Sequence, residues 1–131
     1  MAGEMMAKLQ MKAGQRLALI NPPVGMQMFL VEQLAAVDCS ADLAGAPDGV
    51  LAFVRSKEEL AALAPLVFQS VAEGGLAWIA FPKGGSGIMT DLNRDKLWAE
   101  LANSGWRPVR NVAIDAVWSA LRFRPAQMVG K

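Results

Sequence analysis

Three short apolar runs constrain this chain more than anything else in it. Arg16–Ile20 (RLALI), Val50–Val54 (VLAFV) and Leu76–Phe81 (LAWIAF) do not alternate apolar with polar residues. A strand with one wet face alternates; a strand covered on both faces reads as a nearly continuous apolar run. Helical patterns lie between these runs. Met26–Ala36 (MQMFLVEQLAA) carries apolar residues at 26, 29, 30 and 34. Ser56-Lys57-Glu58-Glu59 is a capping box, and Leu60, Leu63, Ala64, Val67 and Val71 follow at helical spacing. Pro65 predicts a kink or break in that helix, and Gly74-Gly75 a left-handed cap at its end. Asp91 caps a further helix reaching to about Asn103, with Leu97, Trp98, Leu101 and Ala102 turned inward.

Val37–Ser40 reads as a brief second strand, and Asp42–Asp48 as a loop. Val109–Ile114 and Trp118–Arg124 read as a hairpin across Asp115-Ala116-Val117. Residues 1–12 form a helical or frayed start in which Met5, Met6, Leu9 and Met11 cover one side of something else, and 125–131 a loose tail. Strands alternating with helices, closed by a hairpin, predict an α/β fold. The expected form is a single Rossmann-like three-layer domain, with a mostly parallel sheet of five or six strands and an antiparallel C-terminal hairpin. A length of 131 residues, 53% hydrophobic and 19% charged, suits one domain with a full core and excludes a disordered chain.

Histidine and tyrosine are absent and Cys39 is the single cysteine. That excludes a Ser-His-Asp triad, a Cys-His pair, a histidine zinc site, tyrosine acid catalysis and any intrachain disulfide. A net charge of +1 supplies no global field for nucleic acid or an anionic membrane. The absence of a long apolar run and of a signal-like start makes the expected location cytoplasmic, without a membrane.

The stretch from Val50 to Arg124 resembles the C-terminal half of Rossmann-like class I methyltransferases. The matching pieces are VLAFV, the helix ending in Val71–Gly75 (VAEGG), LAWIAF, and the pair VRNVAID and WSALRFR. The chain also resembles a small bacterial family of uncharacterised proteins with the same truncated layout. The shared segments are Lys12–Arg16 (KAGQR), Pro82–Asp95 and Trp118–Pro125 (WSALRFRP), and they bring no reaction with them.

The methyltransferase resemblance implies S-adenosylmethionine as cofactor, held at a glycine-rich turn after the first strand. Here that turn is Asn21-Pro22-Pro23-Val24-Gly25, where two prolines remove amide donors and one glycine remains. The acid that would hold the ribose has only Asp38 to fill it, and residues 21–49 are too few for the full cofactor half. These departures weigh against the cofactor.

The most unusual segment is the loop Pro82–Thr90 and the helix start after it. Lys83, Gly84, Gly85, Ser86, Gly87, Thr90 and Arg94 combine free amides, hydroxyls and cations beyond a strand end, which suits an anionic small molecule. The same residues also suit a plain connection, with Asp91 as cap and Arg94–Asp95 as a surface pair. Asp91, Asp95 and Asp115 would form an acidic cluster if the hairpin turn returned to the same edge, although Asp91 is better used as a cap. Trp78 and Trp98 fit the core. Tryptophans beside Arg107, Arg110, Arg122 and Arg124 would suit base stacking with phosphate contacts, but Arg122 and Arg124, alternating with Leu121 and Phe123, fit a half-buried edge strand, which argues against nucleic acid. Cys39 beside Asp38 is a structural thiol.

The leading expectation is a small protein that binds an anionic small molecule or acts by assembly, without a recognisable catalytic site. A minimal S-adenosylmethionine-dependent methyltransferase is the alternative. A homodimer, in which the high apolar fraction and the methionine-rich N-terminus cover a shared surface, is the third.

Overall fold

The computed structural model describes residues 2–83, 90, 92, 94–102 and 104–126. The elements in chain order are α1 (Ala2–Leu9), β1 (Arg16–Ile20), α2 (Met26–Gln33), β2 (Asp38–Ser40), β3 (Gly49–Phe53), α3 (Lys57–Ser70), β4 (Leu76–Pro82), α4 (Arg94–Glu100), β5 (Trp106–Ala113) and β6 (Trp118–Pro125). The strands form one six-stranded sheet in the order β2-β1-β3-β4-β6-β5. β2, β1, β3 and β4 are parallel. β6 runs antiparallel against β4, and β5 antiparallel against β6. This is the expected α/β fold, with the hairpin at one edge.

The apolar runs are apolar because both sheet faces are covered. Successive side chains point to opposite faces. Leu17, Leu19, Leu51, Phe53, Trp78 and Ala80 join Met5, Leu9, Leu30 and Leu34 from α1 and α2 in one core. Ala18, Val50, Ala52, Ala77, Ile79 and Phe81 join Leu60, Ala64 and Val67 of α3 and Leu97 and Leu101 of α4 in the other. The indole of Trp78, fully buried, donates to the Leu9 carbonyl at 3.1 Å. That bond satisfies the C-terminal end of α1 and ties the helix to the centre of the sheet.

Several local expectations change. α2 ends at Gln33, with Leu34 as its cap, three residues before the expected Ala36. α3 runs through Pro65 without a break. Pro65 is exposed, so the carbonyl its ring leaves unpaired faces water. α3 stops at Ser70, with Val71 extended, and Gly74 takes its left-handed φ of 75° in the turn beyond. Trp98 is not a core residue: it is 55% exposed, because Leu97 and Leu101 take the inner face of α4 and Trp98 sits about 100° further round. β6 is not an edge strand, since β5 lies outside it. β2 begins at Asp38, one residue after the expected Val37.

The parallel part of the sheet has one topological switch point. From β1 the chain passes through α2 to β2 on one side, then crosses back to β3 on the other. In open α/β sheets the crevice beyond the strand ends at such a point is where ligands bind.

Candidate functional site

Asn21 sits at the end of β1, directly on the switch point, in a left-handed conformation (φ 57°) that asparagine tolerates better than most residues. Its side-chain amide donates to the Phe53 carbonyl at the end of β3, at 2.9 Å, and to Glu59 Oε1 at 3.4 Å. The same Glu59 oxygen accepts the Arg55 amide at 2.8 Å, while the Ser56 hydroxyl accepts the Glu59 amide at 3.1 Å. The capping box therefore forms, but its carboxylate reaches one residue further back than Ser56. Thr90 extends the network by donating its hydroxyl to the Arg55 carbonyl and accepting the Leu92 amide. These bonds join the ends of β1 and β3 to the start of α3.

Beside this network lies an open groove of about 450 Å³, within the size range of small-molecule sites. One wall is the β1–α2 turn, with Pro23, Val24, Gly25, Met26 and Phe29; the other is the hairpin turn, with Asp115, Val117 and Trp118. Trp118 pairs with Pro82 at the end of β4, which places the groove on the edge where the parallel strands end. Its ring meets Phe53 edge-on, with centroids 5.3 Å apart. Gly25 is left-handed (φ 83°), and a Cβ there would meet nothing within 4 Å. It precedes α2 without a side-chain cap, so no capping oxygen takes the amides of Gln27 and Met28.

The anion-loop residues are placed in part. The Lys83 amide donates to the Val117 carbonyl at 2.7 Å, and its ammonium to the Asp115 carbonyl at 2.8 Å. Lys83 thereby holds the hairpin turn against the end of β4. Thr90 is committed to Arg55 and Leu92, as described. Arg94 opens α4. Gly84, Gly85, Ser86, Gly87 and Asp91 lie outside the described residues.

Asp91 of the expected acidic cluster lies outside the described residues, among which no group of three metal-binding side chains is found. Asp115 is a turn residue whose Oδ1 accepts the Val117 and Trp118 amides at 2.8 and 2.7 Å. Asp95 lines a different hollow, with Trp98, Val109 and Arg110. Cys39 is half-buried; burial first, then the Asp38 carboxylate, raises its thiol above the ordinary value, which keeps it protonated. The Glu59 bridge and the Trp118 wall are functional candidates that the pattern of the sequence did not single out, whereas Met26, Met28 and Phe29 suit there the lining of an apolar groove or an oligomer contact. The asparagine before Pro22-Pro23 carried a local sign, its tolerance for left-handed backbone.

Fold and edge together define the class: a Rossmann-like α/β fold, mostly parallel with an antiparallel C-terminal hairpin. The chain is similar to a ribosomal protein L11 methylase from Lactobacillus delbrueckii subsp. bulgaricus, at 19% identity and a TM-score of 0.51, covering 95% of this chain and 65% of that one. It is similar to Aeropyrum pernix fibrillarin, solved with natively bound S-adenosyl-L-methionine, at 13% identity and a TM-score of 0.53, covering 86% and 67%. A putative type 11 methyltransferase from Sulfolobus solfataricus matches at 14% identity and a TM-score of 0.51, over 99% of this chain and 82% of its own. At these identities the likeness is one of fold. No protein-family model and no curated protein matches the chain. Among the described residues no helix is long and apolar enough to cross a membrane.

Proposed function

We propose that this chain is a minimal methyltransferase-type protein that binds S-adenosylmethionine, or its demethylated product, in the groove between the β1–α2 turn and the hairpin turn. The observation that carries the reading is the position of the groove: it opens at the strand ends beside the switch point of a methyltransferase-like sheet. The residues present fit the ligand in part. Phe29, Trp118 and Val117 offer apolar walls to an adenine ring and a thioether. The open Gly25 turn admits close approach, and the amides of Gln27 and Met28 can receive a carboxylate at the start of α2. The described acids nearest a ribose position are already placed: Asp38 opens β2, and Asp42, just beyond the end of β2, accepts the Ala44 amide on Oδ1 at 2.9 Å. The adenosyl group therefore keeps fewer polar anchors, and binding falls in the micromolar range. The cofactor supplies an electrophilic methyl group when bound; this chain's own residues position it.

Thermal denaturation with S-adenosylmethionine and S-adenosylhomocysteine tests the reading. A ligand at about 100 times its dissociation constant adds roughly 2.7 kcal/mol. With an unfolding entropy of about 2.1 cal/mol/K per residue, that raises Tm by about 10 °C. The shift should fall away in Phe29→Ala. No shift with either adenosyl compound removes the proposal.

A homodimer is the second reading, favoured by one observation. Met28 and Val31 are exposed on α2, away from its buried Met26 and Leu30, and Val24 is exposed in the turn before the helix. Light scattering that shows monomer alone at high concentration removes it.

A further inference from the structure

Four of the chain's seven arginines lie on one face of the β5–β6 hairpin. The register places Arg107 opposite Arg124 and Arg110 opposite Arg122. Arg107 and Arg110 are three residues apart and would point to opposite faces of a regular strand. The irregularity between Pro108 and Arg110 supplies the extra residue that brings them to the same face. That face is the α1 side of the sheet: Val112 and Ala120, next along the same rows, pack into the core with α1, and Arg122 donates to Gln10 at 2.7 Å.

Like charges directly opposite each other destabilise a strand pair, so the arrangement works against the fold. Protection of a sheet edge accounts for Arg107 and Arg110 on the edge strand β5, but not for Arg122 and Arg124 opposite them on the interior strand β6. Among the described residues, none of the four is seen in an ion pair with a carboxylate. Nε of Arg122 is buried without a hydrogen-bond partner. Burial, then the charges of Arg124 and Arg110, push the Arg122 guanidinium below its ordinary value. A face that carries this repulsion, with no acid seen paired to it among the described residues, suits an anion from outside.

We infer that the arginine face of the β5–β6 hairpin binds the phosphate backbone of a single nucleic-acid strand. Guanidinium forks match phosphate oxygens bidentately, which lysines do not. The four charges lie in two rows about 4.8 Å apart, and Arg122 and Arg124 are about 6.8 Å apart along their strand. A flat row of this kind suits a repeating chain of charges better than one small anion. The neighbours on this face sit in the core, so no apolar flank is left to enter a membrane. The surface is separate from the groove above: Arg107 and Arg124 lie at the far end of the hairpin from the turn that lines it.

The test is fluorescence anisotropy of a labelled uridine oligomer of about twelve nucleotides, titrated with the full chain at several salt concentrations. Each phosphate neutralised on a single strand contributes about −0.7 to the slope of log K against log salt. Four contacts give a slope near −2.8 and about a 50-fold weakening from 50 to 200 mM salt. Arg107→Gln with Arg124→Gln should cut the slope to about −1.4. The matching lysine pair should keep the slope with weaker binding, and its melting curve checks the fold. Binding that ignores the glutamine pair, no binding at 50 mM salt, or binding to phosphatidylserine vesicles in preference to the oligomer overturns the inference.

Discussion

The side chain that joins the two strands at the switch point offers a quantitative test. Asn21 contributes in two separable ways: its amide bonds the Phe53 carbonyl at 2.9 Å, and its backbone holds a left-handed conformation at φ 57°. Asn21→Ala removes the bond and places an alanine in a region it disfavours. The bond is worth about 1 kcal/mol net. The left-handed backbone costs an alanine roughly 1 kcal/mol more. The sum is about 2 kcal/mol, and a chain of this length converts each kcal/mol to about 4 °C in Tm. Asn21→Ala should therefore melt about 8 °C below the parent. Asn21→Gly loses only the bond, since glycine adopts the left-handed region freely, and should melt about 4 °C below. Thermal unfolding followed by circular dichroism reads both. Equal melting of the two variants would refute the left-handed contribution, and parent-like melting of the glycine variant would refute the contribution of the bond.

Other perturbations have equally definite outcomes. Gly75→Ala should be strongly destabilising, by about 3 kcal/mol, because a Cβ there would lie 2.6 Å from the Asp48 carbonyl and 2.8 Å from that of Ala72, backbone atoms that cannot swing aside; urea denaturation with a parent-like midpoint would contradict this. Cys39 carries a raised pKa, so its thiol favours the protonated form in the folded state. That contribution is complete below the unfolded thiol's pKa and is lost as pH rises through the folded one; alkylation by iodoacetamide should accelerate at a higher pH in the native chain than in the urea-unfolded chain. If the loop after β4 takes an anionic small molecule, Lys83→Ala with Arg94→Ala should abolish any phosphate-dependent rise in Tm; a rise that survives the pair removes the loop from consideration.

What could be read from the residues follows from where the energy lies. RLALI, VLAFV and LAWIAF announce buried strands because burial on both faces leaves no polar position, and β1, β3 and β4 fall within one residue of those runs. The Ser56 box announces the start of α3, because a helix leaves amides that only such side chains satisfy. Trp98 misled, since an apolar neighbour of Leu97 on a short helix reads as core until the neighbouring elements show which face is covered. Pro65 misled for the complementary reason: its cost depends on whether the freed carbonyl meets water, which depends on the finished fold. The groove was visible only in its 22–29 half. Its other wall comes from the hairpin turn about ninety residues later, and no local pattern joins Phe29 to Trp118. The four hairpin arginines stand out in the sequence, but that they share one face does not, because the pairing depends on a bulge that shifts Arg110 by one residue.

The most direct test of the central claim, that the adenosyl ligand lies between the β1–α2 turn and the hairpin turn, is a nuclear magnetic resonance titration of ¹⁵N-labelled protein with S-adenosylhomocysteine. The account predicts saturable shifts concentrated at the amides of Gly25, Gln27, Met28 and Val117 and at the Trp118 indole. Saturable shifts centred on Lys83, Thr90 and Arg94 instead, or no shifts at all, would contradict it.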